Sequence, residues 1–445
     1  TSGYERMSDP AKCLEALEVE KSSRKLIATR QSEKLTTLIR SLPVRNQFYA
    51  KKFSRAGLSS VDNLVFPDDL HKLPFTTKAE LVSDQSSSPP WGTALSEPVS
   101  NFSRYNQTSS TTGKPLRWID TTESWQWMLD CWKTIYRAAR VTSTDRIFFP
   151  FSFGPFLGFW TGFDAATQLG AHAIPTGGIS SQSRLDLIKT LHPTVMCCTP
   201  TYALRLLDVA SESSASLTDT TVRVIIVAGE PGGNIPVTRQ RIEEGWAARV
   251  IDHHGLTEVG PVSFECWEAP GFLHINEQEY VAEIIDPKSD QPVPDGQQGE
   301  LVITNLGRSA CPIVRYRTRD LVIRTSEPCA CGRTFARLVG GVIARADDMV
   351  NVRGVNVYPT AIEAIIRSVE TIVEYRCTIK RDGAMRSIIV EIELCQSSAT
   401  NPSVIADEVS SKLHQALGLT VPVRCVGHGT LPRFEMKARR FFVEA

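Results

Sequence analysis

The feature that most constrains the fold of this chain is an alternation of short apolar segments with helical segments between about residues 145 and 305. Segments such as Arg184–Leu191 and Tyr202–Ala210 have the apolar spacing of helices. The clearest candidate strands around them are Arg146–Phe149, Val195–Cys198, Val222–Val227, Val250–His253 and Leu301–Thr304. Strands that alternate with helices in this way predict parallel α/β layers.

The length of the chain predicts more than one domain, because 445 residues exceed what a single hydrophobic core normally organises. Apolar residues at helical intervals predict a first helix over residues 11–42. The character of the sequence changes near residue 345, so we expect a large domain of residues 1–345 and a small domain of residues 346–445. The predicted fold class is α/β, with a large multi-layer domain of mixed or parallel sheets flanked by helices and a small α+β domain after it.

The expected small domain has its own sequence of elements. Pro359 is placed to open a helix, since proline suits the first helical position. The apolar runs Val373–Ile379 and Ile388–Leu394 flank an Asp382-Gly383 pair, which is typical of a β-hairpin. We expect a second helix over about residues 402–417 and a final strand near Val421–Val426.

Composition limits the possible partners and compartments. Lys+Arg and Asp+Glu both number 49, so no net charge attracts the chain to nucleic acid or to an anionic membrane. The longest apolar runs are too short to cross a bilayer, and residues 1–10 lack the apolar core of a signal peptide. The eleven cysteines are an odd number without a disulfide framework, which indicates reduced thiols and a cytoplasmic location.

Three polar stretches carry the chemistry, in a fixed order along the chain. The first, Thr108–Pro115, is rich in hydroxyl groups that can hold phosphate oxygens together with backbone N–H groups. It departs from an ordinary P-loop, because Thr108 stands where that motif has its first glycine and Pro115 follows Lys114. The second stretch, His254–Glu258, offers a ring, a hydroxyl and a carboxylate within one turn. The third, Tyr316–Asp320, ends in an acid suited to a ribose diol. By itself, the first stretch is equally compatible with a polar surface loop.

These stretches resemble the AMP-forming acyl-CoA synthetase superfamily and, within it, the phenylacetate–CoA ligase group. The resemblance runs from about residue 70 to the C-terminus. It is carried by the segments Asp252–Gly260, Gly299–Thr304, Pro312–Asp320 and Arg353–Pro359. The form Tyr-Arg-Thr-Arg-Asp and the segment Arg-Gly-Val-Asn-Val point to the phenylacetate–CoA ligase group, and several matches in the right order are more specific than any one of them.

The resemblance implies a role for each matching residue. His254 would stack on the adenine, Asp320 would accept hydrogen bonds from the ribose, and Arg345 would reach the ribose or a phosphate. The adenine would be lined by Gly229, Glu230 and Pro231. The phosphates would be held by a loop of Ser109, Ser110, Thr111, Thr112, Gly113 and Lys114. Thr257 would contact the α-phosphate and Glu258 would help to hold Mg²⁺. Lys437 resembles a late catalytic lysine, carried by a small domain that turns about a hinge at Asp347 and presents the Arg353–Asn356 loop to the CoA channel.

The chain departs from the family pattern at two of these positions. Ser110 stands where the phosphate loop usually carries glycine, and its β-carbon restricts the backbone. His254 replaces the usual tyrosine, which preserves a ring for stacking but introduces a group that titrates. Two matching residues also have a plainer interpretation, since Asp320 can be an ion-pair partner of Arg315, Arg317 or Arg319, and Asp347 can belong to a solvated linker.

A pair of cysteines forms a separate candidate site. Cys329 and Cys331 lie one residue apart and precede Gly332, so a turn can present both sulfurs to one metal ion. A closed zinc site needs four ligands, and Cys266 and His274 are the best remaining candidates. The spacing is not the familiar Cys-x-x-Cys, and a pair of reduced surface thiols is the alternative.

The expected activity follows from the resemblance. An acid–CoA ligase would use ATP and Mg²⁺ to convert an aromatic, phenylacetate-like acid to an acyl-adenylate and would then transfer the acyl group to CoA. Its partners would be these small molecules, with neither nucleic acid nor membrane involved and with a homodimer left open. The same sequence is compatible with loading of a carrier-protein thiol and with a catalytically silent nucleotide-binding homologue.

Overall fold

A computed structural model of the chain describes residues 17–108, 115–352, 355–382, 385–395, 401–434 and 438–444. Within these ranges the helices are α1 (Arg24–Arg45), α2 (Gln47–Arg55), α3 (Lys78–Ser87), α4 (Thr122–Ala138), α5 (Leu157–Leu169), α6 (Ser181–Leu191), α7 (Pro200–Glu212), α8 (Pro236–Trp246), α9 (Pro359–Arg367) and α10 (Pro402–Leu417), with short 3₁₀ helices at Asp68–Lys72 and Val99–Asn101. No helix among the described residues is long and apolar enough to cross a bilayer.

The strands fall into one large sheet and three small groups. The large sheet contains β3 (Arg146–Phe149), β4 (His172–Pro175), β5 (Val195–Cys198), β6 (Val224–Val227), β7 (Arg249–Leu256), β8 (Gly260–Cys266), β9 (Ala269–Ile275), β10 (Tyr280–Ile285), β11 (Gln298–Asn305), β12 (Tyr316–Thr325), β13 (Arg337–Val339) and β14 (Ala344–Arg345). The small groups are the pair β1 (Phe102–Gln107) and β2 (Arg117–Thr121), the pair β15 (Val350–Val352) and β16 (Val355–Val357), and a sheet of β17 (Ile372–Asp382), β18 (Met385–Leu394), β19 (Val423–Val426) and β20 (Phe441–Val443).

The large sheet is parallel in one half and antiparallel in the other. Strands β4, β3, β5, β6 and β7 run parallel in that order, and β7 then pairs antiparallel with β8. The predicted parallel layers are therefore confirmed for the segment from Arg146 to His253. The strand around Leu301–Thr304 is antiparallel to both of its neighbours, so its assignment to the parallel layers is wrong.

The parallel strands are buried on both faces, which explains their continuous apolar sequences. Ile147, Phe149, Val195 and Cys197 face a core that includes residues of α4 and α5. Their neighbours in sequence, Phe148, Met196 and Cys198 among them, face a second core with α6, α7 and α8. Two helical layers around one sheet give the multi-layer α/β architecture that the sequence predicts.

The C-terminal sheet forms a separate core with α9 and α10, and all members of that core lie between Val350 and Phe441. Strands β17 and β18 form the predicted hairpin, with Ile379 opposite Ile388. The strand near Val421–Val426 is present as β19, but it is not the final one, because β20 follows and pairs parallel with β17. Three residues are too few to show a strand periodicity in the sequence.

The first predicted helix has different bounds in the structure. Residues 17–20 are helical, a turn interrupts the chain, and α1 begins at Arg24. The side chain of Ser23 accepts a hydrogen bond from the backbone of Leu26 and so caps this helix. Residues 11–16 of the predicted span lie outside the described residues, and α1 extends past Pro43 to Arg45.

Candidate active site

Two of the predicted nucleotide-binding segments lie at the carboxyl ends of adjacent parallel strands and therefore at the same edge of the sheet. Gly229, Glu230 and Pro231 come directly after β6, while His254 lies near the end of β7. The backbone φ of Gly229 is +91°, a conformation that favours glycine and turns the chain sharply as it leaves the strand. The carboxyl ends of parallel strands are the usual place for a ligand in an open α/β sheet.

His254 contacts the predicted ribose acceptor. Its Nε2 atom lies 3.1 Å from Oδ2 of Asp320, whose residue is only 3 % exposed. The preceding His253 points to the opposite face of the strand, where its ring packs edge-on against Trp132 and burial lowers its pKa to about 3. Strand alternation therefore directs only one of the two adjacent histidines into the candidate site.

Arg345 completes a chain of polar contacts with Asp320. These two residues are register partners in β12 and β14, and Nη1 of Arg345 donates to Oδ1 of Asp320 at 3.2 Å. Arg345 also donates to both carboxylate oxygens of Asp347, each at 3.0 Å. The structure thus connects His254, Asp320, Arg345 and the predicted hinge residue, and the side chain of Asp347 is half exposed to solvent.

Arg315, Arg317 and Arg319 bind other carboxylates, so the ion-pair partner of Asp320 is Arg345 rather than one of these three arginines. Arg315 pairs with Glu283 at 2.8 Å. Arg317 pairs with Glu300 at 2.6 Å. Arg319 lies 3.6 Å from the same Glu300. Because Glu283 and Glu300 pair with these three arginines, the side chains that contact the Asp320 carboxylate are those of His254 and Arg345.

Glu258 is a buried carboxylate in the turn between β7 and β8. Its residue is 3 % exposed, and Oε1 accepts a hydrogen bond from the hydroxyl of Tyr316 at 3.2 Å. Burial and the neighbouring Glu258 raise the pKa of Tyr316, so this phenol remains protonated and able to donate. Thr257 precedes Glu258 and is half-buried, so both predicted phosphate and magnesium contacts come from one turn.

A fully buried ion pair fixes the backbone of this turn. Arg308 and Asp120 have no exposed side-chain surface, and the guanidinium donates to both carboxylate oxygens at 2.6 Å. The same guanidinium donates to the carbonyl of Thr257 at 2.7 Å and to that of Glu258 at 3.2 Å. The sequence does not indicate either member of this pair, because they are far apart in the chain.

Lys78 is a further residue of the site that sequence analysis missed. Its Nζ atom lies 3.3 Å from Oε1 of Glu258. A capping box between Thr77 and Glu80 starts α3 at this position, and backbone hydrogen bonds join Thr76 to β12. The Thr-x-x-Glu pattern can reveal the start of the helix in a sequence, but not that Lys78 faces Glu258.

The predicted phosphate loop, residues 109–114, lies outside the described residues, so the roles of Ser109, Ser110, Thr111, Thr112, Gly113 and Lys114 stay predictions. The residues on either side of it, Thr108 and Leu116, are hydrogen-bonded to one another. Thr108 donates its backbone N–H to the carbonyl of Leu116 at 3.0 Å, and its hydroxyl accepts from the Leu116 N–H at 3.0 Å. Gln107 donates to the carbonyl of Pro155 at 2.8 Å, which joins the base of the loop to the turn after β3.

That turn contains a group of aromatic side chains. The rings of Phe151 and Phe159 stack with centroids 4.0 Å apart, and Phe153 packs against both Phe151 and Trp160. Phe153, Phe159 and Trp160 are only partly buried, so the group presents an apolar surface beside the base of the predicted phosphate loop. This surface is suited to an aromatic ring.

Glu230 uses both of its carboxylate oxygens on backbone N–H groups. Oε1 accepts from Thr201 at 2.9 Å, and Oε2 accepts from Ala438 at 2.8 Å. Ala438 follows Lys437 in the chain, and Lys437 itself lies outside the described residues. The predicted adenine segment and the C-terminal part of the chain therefore meet at this edge of the sheet.

The four predicted zinc ligands are gathered in one cluster. The ligand atoms of Cys266, His274, Cys329 and Cys331 all lie within 4.8 Å of one another. The Cys266 and Cys329 sulfurs are 3.7 Å apart, which matches two thiolates about 2.3 Å from one tetrahedral zinc ion. The Cys331 sulfur lies 3.4 Å from Nε2 of His274. Cys329 is buried and Cys331 is half-buried, so neither thiol is fully exposed at the surface.

The electrostatics of the cluster also suit a cation. A hydrogen bond to Cys266 outweighs burial and holds the pKa of Cys331 below its usual value. Burial lowers the pKa of His274, but hydrogen bonds to Cys329 and Cys331 offset that effect and raise it. A deprotonated thiol beside further sulfur and imidazole donors is the ligand set that zinc prefers.

Comparison with known proteins identifies the family. Residues 72–308 match the family model described as AMP-binding enzyme, and residues 354–444 match the model described as AMP-binding enzyme C-terminal domain. Since the first match covers more than half of the chain, the chain belongs to the AMP-binding enzyme family.

Within this family its curated relatives are phenylacetate-coenzyme A ligases. The Thermus thermophilus enzyme is 30 % identical over 94 % of this chain and 96 % of its own length. The Pseudomonas putida enzyme is 32 % identical over 88 % of each chain. The Escherichia coli K12 enzyme is 31 % identical over 93 % of each chain. The predicted resemblance to the phenylacetate–CoA ligase group is confirmed.

Solved structures of a 2-hydroxyisobutyryl-CoA ligase, 26 % identical to this chain, match it in two states. The postadenylation state with bound 2-HIB-AMP gives a TM-score of 0.86 over 94 % of this chain and 89 % of that one. The thioesterification state with 2-HIB-AMP and CoA gives 0.67 over 99 % of this chain and 91 % of that one. The present arrangement of the chain is therefore closer to the postadenylation state.

Proposed function

We propose that this protein is an AMP-forming acid–CoA ligase that activates an aromatic, phenylacetate-like carboxylic acid. The observation that carries the proposal is the chain of contacts from His254 through Asp320 to Arg345, beside the buried Glu258 at the carboxyl edge of the sheet. The phenylacetate-coenzyme A ligases among the relatives support both the reaction class and the class of acid.

A carboxylate must be activated before a thiol can convert it to a thioester. The carboxylate repels a thiolate, and its leaving group would be oxide. A carboxylate oxygen therefore attacks the α-phosphorus of ATP, the bond to pyrophosphate breaks, and an acyl-adenylate results. The CoA thiol then loses its proton and attacks the acyl carbon, and the bond to AMP breaks. Positioning and charge neutralisation dominate the first step.

The nucleotide would lie along the carboxyl edge of the parallel strands. Asp320 is an acceptor-only carboxylate, so its two oxygens suit the two hydroxyls of a ribose once His254 and Arg345 yield their hydrogen bonds. The His254 ring would stack on the adenine, which the segment Gly229–Pro231 would line. Arg345 would then be free to contact the ribose or a phosphate, while the phosphate loop that follows Thr108 would hold the triphosphate.

A magnesium ion fits the turn between β7 and β8. Glu258 supplies a buried carboxylate oxygen of the kind that Mg²⁺ prefers, and the Thr257 hydroxyl lies next to it in sequence. When bound there, the ion would neutralise charge on the phosphates. The Tyr316 hydroxyl and the Arg308 guanidinium would keep the carboxylate and the backbone of this turn in place.

The acid would bind beside the aromatic group after β3. The partly buried rings of Phe153, Phe159 and Trp160 lie next to the base of the phosphate loop, so an aromatic acid held there would direct its carboxylate toward the phosphates. Aromatic rings pack well in offset or edge-on contacts with one another. This surface supports an aromatic substrate over a long aliphatic one.

We also propose that Cys266, His274, Cys329 and Cys331 hold one structural zinc ion. Four ligands leave no open position for a reacting water, which is typical of structural rather than catalytic zinc. The ion would tie the loop between β12 and β13 to the β8–β9 hairpin. Reduced thiols at the other cysteines, which form no disulfides among the described residues, fit a cytoplasmic location.

The division of labour between two domains is part of the same proposal. Residues 1–345 would bind ATP and the acid, and residues 346–445 would form a mobile domain that turns about Asp347. Lys437 would reach the α-phosphate during adenylation and leave it during thioester formation, when the Arg353–Asn356 loop faces the CoA channel. The greater similarity to the postadenylation state of a related ligase supports an arrangement used in or after the first step.

The test is a panel of carboxylic acids scored by pyrophosphate release with Mg-ATP, followed by addition of CoA. We expect release with arylacetic or benzoic acids and formation of AMP and thioester after CoA is added. Acyl transfer only to a carrier-protein thiol would assign the acceptor differently. Failure of every acid to release pyrophosphate would favour a silent nucleotide-binding homologue and contradict the proposal.

A further inference from the structure

The carboxylate of Glu230 joins two parts of the chain that are more than 200 residues apart. On one side it accepts from the backbone of Thr201, which lies in the first turn of α7. On the other side it accepts from the backbone of Ala438, close to β20 of the C-terminal sheet. The first backbone N–H groups of a helix have no partner within the helix, so the start of α7 holds the Glu230 side chain in the position where it also accepts from Ala438.

A second hydrogen bond crosses the same boundary within two residues of the first. Nη1 of Arg440 donates to the hydroxyl of Thr201 at 3.2 Å. Arg440 is buried and pairs with Glu374 of β17 at 2.5 Å, and its carbonyl accepts from Cys377 at 2.8 Å. The segment 438–440 is therefore built into the C-terminal sheet and, at the same time, fastened to the start of α7.

A third crossing contact lies elsewhere and provides a comparison. Arg241 of α8 donates to the carbonyl of Ile372 at 3.4 Å and pairs with Asp208 at 3.5 Å. This contact also joins the large sheet's helices to the C-terminal sheet, but it does not involve the segment next to Lys437. The Arg241 contact helps to hold the C-terminal sheet against α8, whereas Glu230 binds the segment 438–440.

We infer that Glu230 is a positioning residue that holds the segment 438–440 at the carboxyl edge of the parallel strands during adenylation. The inference rests on the proposed function. It adds that the Glu230–Ala438 hydrogen bond must break before thioester formation, because the C-terminal domain cannot turn away while it persists.

The test compares Glu230→Gln and Glu230→Ala with the control Arg241→Ala. Gln keeps the shape of the side chain, but its amide can accept only one of the two N–H groups and presents a donor to the other. The first measurement is hydrogen exchange of the Ala438 backbone N–H, followed in a peptide that begins several residues before Ala438. Charge-assisted hydrogen bonds are worth about 1.5–3 kcal/mol, so exchange should accelerate by about 10- to 100-fold in both Glu230 variants and not in the control.

The second measurement separates the half-reactions. Both carboxylate oxygens of Glu230 bind backbone N–H groups of Thr201 and Ala438, so only the backbone of Glu230 is left to line the adenine. Adenylation by the Glu230 variants should therefore slow by about 10- to 100-fold in kcat with little change in the KM for ATP, as expected when a transition-state contact is misplaced. Thioester formation from a preformed acyl-adenylate should not slow. Arg241→Ala should not slow adenylation selectively, that is, while leaving thioester formation unchanged.

Different failures have different signatures. If the wild-type protein activates no acid, the proposed function fails, while hydrogen exchange still reports on the Glu230–Ala438 contact. If the wild type is active, three results overturn the inference: a rise in the KM for ATP with unchanged kcat, equal loss of both half-reactions in Glu230→Gln, or equal acceleration of exchange in Arg241→Ala. The first would make Glu230 only an adenine contact, and the last would indicate general loosening of the boundary.

Discussion

Nε2 of His254 lies 3.1 Å from Oδ2 of Asp320, so the residue proposed to stack on adenine also binds the residue proposed to hold the ribose. With Arg345 on Oδ1, both oxygens of Asp320 are satisfied within the protein. A ribose must therefore replace these two hydrogen bonds rather than fill bare acceptors. Because buried polar groups without partners are costly, the hydrogen bonds from His254 and Arg345 keep the Asp320 carboxylate oriented until a ribose replaces them.

Asp320→Asn should raise the KM for ATP by about 10- to 100-fold, because weakening a charged hydrogen bond costs about 1.5–3 kcal/mol. The substitution keeps the shape of the side chain but replaces one acceptor oxygen with a donor. Steady-state kinetics at varied ATP concentration measure the change. Asp290→Asn, at an exposed carboxylate paired with Arg317 at 2.8 Å, is the matched control. An unchanged KM in a folded Asp320 variant would place the ribose elsewhere.

Lys78→Ala should raise the KM for Mg-ATP by up to about fivefold, since an exposed ion pair is worth at most about 1 kcal/mol. The Lys78 side chain is 51 % exposed and lies beside Glu258, so it adds positive charge where the triphosphate would bind. Lys72→Ala removes a comparable surface ion pair with Asp69 and should have no effect. Equal kinetics for the two variants would count against a role for Lys78 in nucleotide binding.

Metal analysis of protein purified without added zinc should find close to one equivalent of zinc. Replacing both Cys329 and Cys331 by serine should remove the ion and lower the melting temperature, because the loop after β12 loses its attachment to the β8–β9 hairpin. A variant at Cys395, a half-buried cysteine outside the cluster, should retain the metal.

A thiol titration provides an independent check of the same site. Cys329 and Cys331 should react with a thiol reagent only after a chelator is added. Burial raises the pKa of Cys197 to about 12, so that thiol should stay unreactive at neutral pH until the protein unfolds. Free titration of Cys329 and Cys331 in the native protein before chelation would rule out the zinc site.

Lys437→Ala should reduce acyl-adenylate formation by about 100-fold or more, as for loss of one charge contact in the transition state. With preformed acyl-adenylate and CoA, the variant should make thioester at close to the normal rate, since the C-terminal domain would have turned away. Arg439→Ala, two residues along the chain, is the control and should affect neither step as strongly. Equal losses in both half-reactions would be incompatible with a domain that alternates between two positions.

The sequence predicts the elements that depend on local pattern. The parallel strands and the helices between them are visible because strands buried on both faces are continuously apolar. The hairpin β17–β18 is visible because its strands flank an Asp-Gly pair. The antiparallel setting of β11 and the short β20 are not predictable, because strand pairing depends on distant neighbours.

The candidate site divides in the same way. His254, Glu258 and Asp320 belong to recognisable stretches, and the structure brings the first and last of them into contact. Lys78, the Arg308–Asp120 pair and the Glu230–Ala438 hydrogen bond depend on contacts between distant parts of the chain, for which local spacing carries no signal. The zinc candidates are intermediate, since Cys329 and Cys331 suggest a metal site by themselves, whereas Cys266 and His274 are joined to them only by the fold.

The central claim is that a carboxylate oxygen attacks the α-phosphorus of ATP. The most direct measurement uses phenylacetate labelled with ¹⁸O in the carboxylate, together with Mg-ATP and CoA, or another aromatic acid that the panel identifies. Mass spectrometry of the products should find one heavy oxygen in AMP and none in pyrophosphate, because cleavage of the acyl-adenylate by CoA leaves that oxygen on AMP. Formation of ADP, or heavy oxygen in inorganic phosphate, would contradict the acyl-adenylate mechanism.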